Sequence, residues 1–240
     1  MTPLTLDPNL IAPIIATTIA ELATLPICTL KTNYQNSGSK SIISTLKSVY
    51  ASGGISAFYR ASAPAITAQI FTTTSKYYLY NKLNELNEIH SYGSNRVIHG
   101  ILAGILTSLI THPIDMFKIH SQMNLSMLSE VKTHGLKTFY RGYSKTFSKT
   151  ILSGSMFFPL YDYSKAYLNN PLLASAFSGF VSATLMHPID YLKTRHIAGL
   201  KLYDGLNPRT YYKGYSINLL RIVPHFVITM GVIEWVKEKM

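Results

Sequence analysis

The sequence predicts an all-α membrane protein: six transmembrane helices in three pseudo-symmetric two-helix repeats around a central cavity. Three observations carry this. Of 240 residues, 47% are apolar and only 14% are Asp, Glu, Lys or Arg. An ordinary soluble domain is roughly 25% charged, so this chain has too few charges to solvate a globular surface. A proline-centred motif occurs three times, each copy followed by an aromatic-basic element, and long apolar stretches flank both elements. The rest of the composition excludes other classes: 14 Gly, 11 Pro and one Cys describe neither a disordered chain nor a disulfide-stapled one.

The first element reads PICTLK from Pro26, PIDMFK from Pro113 and PIDYLK from Pro188. Two copies reach a glutamine at the same offset, Gln35 and Gln122. The second element reads FYRA from Phe58, FYRG from Phe139 and YYKG from Tyr211. It starts 32, 26 and then 23 residues after its proline, so a tolerant loop separates two fixed cassettes. Recurrence of this kind marks one supersecondary unit used three times, with the units at 1–84, 85–169 and 170–240.

Upstream of the prolines, residues 9–25, 97–112 and 172–187 are apolar, with small residues at four-residue spacing. Gly100, Gly104 and Ser108 form one stripe; Ser175, Gly179 and Ala183 form the matching one. Such faces let helix backbones approach closely in lipid. Downstream, 62–83, 143–168 and 215–237 supply three more helices, each of roughly 20 residues or more and so able to span about 30 Å of hydrocarbon. The prolines lie inside the odd helices, where they kink a span and free carbonyls that neighbours must satisfy. Ser, Thr, Lys and His interrupt the apolar runs and give the spans a wet face.

Lys and Arg number 22 against 11 Asp and Glu, a formal charge of +11. The basic residues form neither runs nor an aromatic-interleaved patch, which argues against nucleic acid as the partner. Lys40, Lys47, Lys132, Lys137, Lys201 and Arg209 gather in the loops that follow the prolines, opposed only by Glu130 and Asp204. By the positive-inside rule that loop-rich end faces the compartment of origin. The N-terminus, MTPLTLDPNL, is not an Arg-rich presequence, so an organellar address would be internal.

Together these elements resemble the mitochondrial carrier family, over essentially the whole chain. The family pattern is proline, any residue, an acid, two residues and a base, each copy followed by an aromatic, a base and a glycine. Two copies here are clean, and the first has Cys28 where the acid belongs. The resemblance implies a monomeric exchanger working by alternating access in the mitochondrial inner membrane, with no catalytic residues, no cofactor and no metal. It implies a matrix gate, an inter-repeat ring of Cys28, Lys31, Asp115, Lys118, Asp190 and Lys193 braced by Gln35 and Gln122. Two carboxylates face three ammonium groups, so two bridges of the ring can close. A cytosolic gate of aromatic, acid and base is matched fully by Tyr161, Asp162 and Lys165, and by Glu234 and Lys237 behind Ile233. Tyr80 is followed by the uncharged Asn81 and Asn84, so the matrix gate is expected to be the stronger.

By the same resemblance, substrate contacts lie about ten residues beyond the start of the second element, at Gln69 beside Ala68, Lys149 and Thr150, and Arg221 and Ile222. Lys76 and His225 follow on the same helical face. Glu21, five residues before its proline, is a mid-span charge, costly and therefore a functional candidate as counter-ion or proton-coupling group. Lys76, Lys149 and Arg221 against Glu21 leave the cavity positive, which predicts a small anionic metabolite as cargo. His112 and His187 precede their prolines and read as helix-packing residues, not metal ligands.

Tyr59, Arg60 and Ala61, Tyr140, Arg141 and Gly142, and Tyr212, Lys213 and Gly214 open helices whose free amides accept phosphate. The resemblance makes these cardiolipin sites, the first weakened by Ala61. The short chain, rich in Asn, Lys, Ile and Tyr, resembles the compact carriers of giant DNA viruses. That points to nucleotides or deoxynucleotides such as dATP, dTTP or ADP. Lys149 and Thr150 look more like the pair found in carriers of di- or tricarboxylates or keto acids, and a non-transporting scaffold on the same fold is the remaining class.

Overall fold

The computed structural model describes residues 8–39, 41–90, 96–168, 171–202, 205 and 207–239. Among them there are helices and turns and no strand. In chain order the α-helices are α1 (Pro8–Asn36), α2 (Ile42–Ala51), α3 (Ser62–His90), α4 (Arg96–Gln122) and α5 (Met127–His134). They continue as α6 (Tyr143–Leu168), α7 (Pro171–Ile197), α8 (Pro208–Tyr211) and α9 (Tyr215–Lys239). Short 3-10 turns, Gly54–Tyr59 and Leu136–Tyr140, lead into α3 and α6. Ser41 and Ser126 start α2 and α5 by accepting from the amides of Ser44 and Ser129, the usual role of serine at a helix N-cap.

The six long helices run 25 to 29 residues, about 38–44 Å at 1.5 Å per residue. Leu10–Asn36 and Ile98–Gln122 are apolar enough by length and composition to cross a membrane. The other four are diluted by Ser, Thr, Tyr and charged residues along their length. Burial runs opposite to that of a soluble bundle. Thr24, Thr29, Gln35, His112, His120, Ser178 and His187 are sealed inside, while Ile19, Leu106, Ile110, Phe177, Leu220 and Val227 face outward. The clusters of buried apolar side chains are small: Leu25, Cys28 and Ala65 in one, Met116, Met127 and Ile197 in another. A polar interior inside an apolar exterior suits lipid as the surrounding solvent.

α1 packs against α3 and α9, α4 against α3 and α6, and α7 against α6. The helices therefore close a ring in chain order, and the sparse contact is between α7 and α9. Small residues explain part of this difference. On α4 a Cβ added to Gly104 would lie 3.0 Å from Thr150 Cγ2 of α6, and Ser108 sits 3.5 Å from the Tyr143 hydroxyl, so those two residues of the stripe meet α6 while the stripe also borders a bay beside it. On α7 nothing lies within 4 Å of a Cβ added to Gly179. Gly179 and Ala183 border the cavity instead, a departure from the stripe expected there. α7 and α9 meet at the loop end, through Thr184 and the Tyr215 hydroxyl at 2.6 Å and through His187 and the Lys213 carbonyl at 3.2 Å.

α1, α4 and α7, the first, third and fifth of the six long helices and so the odd ones, each continue past their proline, so Pro26, Pro113 and Pro188 are internal. Proline removes the hydrogen bond to the carbonyl four residues earlier. For Pro113 that carbonyl belongs to Leu109, and the Tyr140 hydroxyl reaches it at 3.4 Å. The second element thus repairs the first. The divide expected after residue 84 falls inside α3, which runs on to His90 because nothing in Glu85–His90 interrupts a helix. The divide expected after residue 169 lies outside the described residues, which resume at α7.

Candidate functional site

The proline motifs sit a few turns from the ends of α1, α4 and α7, where the three helices converge below a central cavity of about 440 Å³. Their charged residues form two ion pairs. Lys31 of α1 bonds Asp190 of α7, and Lys193 of α7 bonds Asp115 of α4 at 2.8 Å. Asn218 of α9 takes a second Lys31 proton at 2.9 Å. Lys118 has no acid at position 28 and turns instead to Glu21, with Nζ 2.5 Å from Oε1. Arg221 of α9 holds the other oxygen of Glu21 at 2.6 Å. Lys149 of α6 joins Lys31 on Asp190.

Among the described residues neither glutamine side chain bonds a member of an ion pair, contrary to expectation. Gln122 donates to Cys28 Sγ at 3.4 Å and accepts from Thr32 at 2.8 Å, because the thiol at position 28 offers it a neutral neighbour. The Gln122 carbonyl accepts from Asn33 at 2.8 Å. Gln35 lies under Gly214, where a Cβ would come within 3.1 Å of its Cγ, and donates to the Lys213 carbonyl at 3.3 Å. The α1–α4 seam is therefore joined by neutral hydrogen bonds below and one ion pair above.

Above the ring, Lys149, Arg221 and Ile222 line the central cavity, and Lys76, Lys149 and Thr150 line a hydroxyl-rich bay of about 510 Å³ between α3, α4 and α6. His225 lies beside Arg221, with Nδ1 3.4 Å from the Thr24 hydroxyl. Gln69 is not brought to this group; its amide bonds Thr73 one turn along its own helix. Five described cations, Lys31, Lys118, Lys149, Lys193 and Arg221, face three carboxylates, Glu21, Asp115 and Asp190. Lys76 adds a sixth in the bay.

At the opposite end Tyr80 is half-buried and Asn81 is exposed. The side chains of Asn84, Tyr161, Asp162, Lys165, Glu234 and Lys237 lie outside the described residues.

The aromatic-basic elements do open α3, α6 and α9, but their basic heads are engaged by protein. Arg141 donates to the Ile197 carbonyl and to Glu130, and Lys213 donates to the Ser37 carbonyl at 2.5 Å above the ring of Tyr34. Each caps the end of the next repeat's odd helix, a favourable place for a cation. Gly142 and Gly214 adopt φ of 82° and 81°. There the turned carbonyls of Arg141 and Lys213 meet His112 and His187 at 3.1 and 3.2 Å. Tyr140 and Tyr212 stack on these same histidines. The first repeat differs: Arg60 is helical and bonds the Ser52 carbonyl within its own repeat.

Sequence reasoning missed Asn218 and the Lys118 partnership with Glu21. Asn218 shares its offset with Thr146, which bonds His112 at 3.2 Å. A polar residue at matching positions in two repeats was the available signal.

An all-helical bundle with an apolar exterior, closed below a cationic cavity, suits a solute carrier, and comparison gives the family. The family model described as mitochondrial carrier protein matches residues 3–91 and 89–172. The chain is 52% identical over 225 residues to a mitochondrial carrier-like protein of Acanthamoeba polyphaga mimivirus, covering 94% of both chains. It is 25% identical over 273 residues to mitochondrial substrate carrier family protein Z of Dictyostelium discoideum, covering 95% of this chain and 90% of that one. It is also 25% identical over 215 residues to mitochondrial thiamine pyrophosphate carrier 1 of Kluyveromyces lactis, covering 78% and 68%. The chain belongs to the mitochondrial carrier family, whose members are membrane transporters and not enzymes. Its likeness to a giant-virus protein agrees with the compositional resemblance.

Proposed function

We propose that this carrier exchanges nucleotides or deoxynucleotides, such as dATP, dTTP and ADP, across the mitochondrial inner membrane by alternating access through six membrane spans. The observation that carries the reading is the excess of cations over carboxylates around the cavity, with Lys149 and Arg221 projecting from α6 and α9. A polyanion neutralises that excess. The thiamine pyrophosphate carrier of Kluyveromyces lactis is a relative named for a diphosphate cargo. Lys31, Asp190, Asp115, Lys193 and Lys118 then serve as the gate at the loop end, on the matrix side. Glycine-bearing helix starts at Gly142 and Gly214 remain the positions for an anionic lipid headgroup such as cardiolipin.

A di- or tricarboxylate is the second reading, favoured by one observation: the described residues lining the cavity and bay include no Phe, Tyr or Trp on which a base could stack. Reconstituted liposomes loaded with a panel of nucleotides and carboxylates separate the two. Exchange of nucleotides supports the first, exchange of carboxylates alone replaces it with the second, and no exchange of either leaves a carrier-fold scaffold.

A further inference from the structure

We infer that Glu21 is the third acid of the loop-end gate, acting from two turns deeper in α1 in place of Cys28, and that through Arg221 it wires the gate to the cavity. The inference rests on the transport reading above.

Three seams join α1, α4 and α7 at the convergence. Lys31 with Asp190 ties α1 to α7, and Lys193 with Asp115 ties α7 to α4. The remaining seam, α4 to α1, has only one ion pair among the described residues, Lys118 with Glu21. Position 21 precedes position 28 by seven residues, two helical turns on one face and about 10 Å along the axis. A lysine stem covers much of that distance. Cys28 itself is buried and accepts from Gln122.

Both oxygens of Glu21 are used, one by Lys118 and one by Arg221, and its side chain is 3% exposed. It offers no free oxygen to a substrate. The arrangement repeats elsewhere in the ring. Asp190 also holds one gate lysine, Lys31, and one cavity cation, Lys149. In both triads an anion that draws off the cavity cation changes what holds the gate lysine. When a gate lysine leaves, the cavity cation stays as counter-ion, sparing the carboxylate the cost of an unpaired buried charge.

Cys28 is the only cysteine in the chain and borders the cavity, so it reports on the gate without further engineering. In proteoliposomes, a membrane-impermeant maleimide applied at the loop end should label Cys28 in Glu21→Gln at least about tenfold faster than in the native protein. Glu85→Gln, which breaks an exposed pair with Lys82, should label at the native rate. Nucleotide or carboxylate exchange should fall in Glu21→Gln and recover in Glu21→Gln combined with Cys28→Asp, where an acid again faces Lys118. Native labelling in Glu21→Gln overturns the inference. So does a folded double variant that stays as slow as the single one, since Glu21 then serves Arg221 alone. If Glu21→Gln does not fold, Lys118→Met removes the same link from its other end, and faster or unchanged labelling supports or overturns the inference equally. A native protein that moves no anion but whose labelling depends on Glu21 loses the transport reading and keeps the gate. Intact native exchange with labelling indifferent to Glu21 does the reverse.

Discussion

The guanidinium of Arg141, on the threshold of α6, donates through Nη2 and Nε to the carbonyl of Ile197, the last residue of α7, at 2.6 and 3.2 Å. Its Nη1 holds Glu130 at 2.9 Å. Two repeats are thereby clasped at the loop end by one side chain. Lysine has the charge without the fork, so Arg141→Lys should cost about 1–2 kcal/mol. A lower thermal unfolding temperature in lipid-supplemented detergent, with unchanged substrate affinity, is the expected result.

Gly214 has φ of 81° and sits against Gln35, so alanine there meets both a left-handed backbone and a contact at 3.1 Å. Gly214→Ala should destabilise by about 1–2 kcal/mol from the backbone alone. At the matching position of the first repeat, Ala61 is not among the described residues with positive φ. Ala61→Gly should therefore bring no gain. Parallel melting curves of the two variants check the contrast.

Lys149 and Arg221 are the cavity cations, each bonded to a carboxylate that also holds a gate lysine. Lys149→Gln and Arg221→Gln should each lower anion uptake by at least about tenfold, the factor for losing about 1.4 kcal/mol of binding, while the protein remains folded. Uptake kinetics in liposomes, beside a thermal melt, check this; native uptake in both variants would remove them from the site.

Cys28→Asp, with Glu21 retained, gives Lys118 a second acid and gives the Gln122 amide a stronger acceptor than the thiol it now faces at 3.4 Å. Exchange should slow and the melting temperature should rise, because the closed ring gains a bond that opening must break. Initial rates of exchange and thermal unfolding measure the two effects. Faster exchange would mean that the loop-end ring does not limit the cycle.

Much of the fold was legible in the sequence because the repeats carry it. Pro113 and Pro188, the FYRG and YYKG elements and the histidines before the prolines recur in register, and the structure shows those histidines in contact with those elements. The family resemblance implied the ring and charge counting limited it to two bridges; the structure pairs Lys31 with Asp190 and Lys193 with Asp115. What repetition could not reveal lies where the repeats differ. Glu21 has no counterpart in the other odd helices, where Ser108 and Ala183 stand, so its partner depended on how far Lys118 reaches in three dimensions. Gln35 and Gln122 share an offset but not a neighbour: one lies beneath Gly214 and the other beside a thiol. Identical residues in register therefore took different jobs. The reach of α3 to His90 was hidden for a different reason, since Glu85–His90 reads as polar surface and hydropathy marks only the lipid-crossing part of a helix.

The α1–α4 seam, joined below the ring by Thr32, Asn33, Gln122 and Cys28, is held there by uncharged groups. Mobile ions weaken charge pairs in proportion to their access and leave neutral hydrogen bonds almost untouched. As ionic strength rises, the ion pairs of all three seams soften according to their exposure, Lys118 with Glu21 included, while the neutral bonds below the ring do not. The convergence is thus graded in its response to salt, with a layer of neutral bonds between α1 and α4 that persists beneath the charged ring.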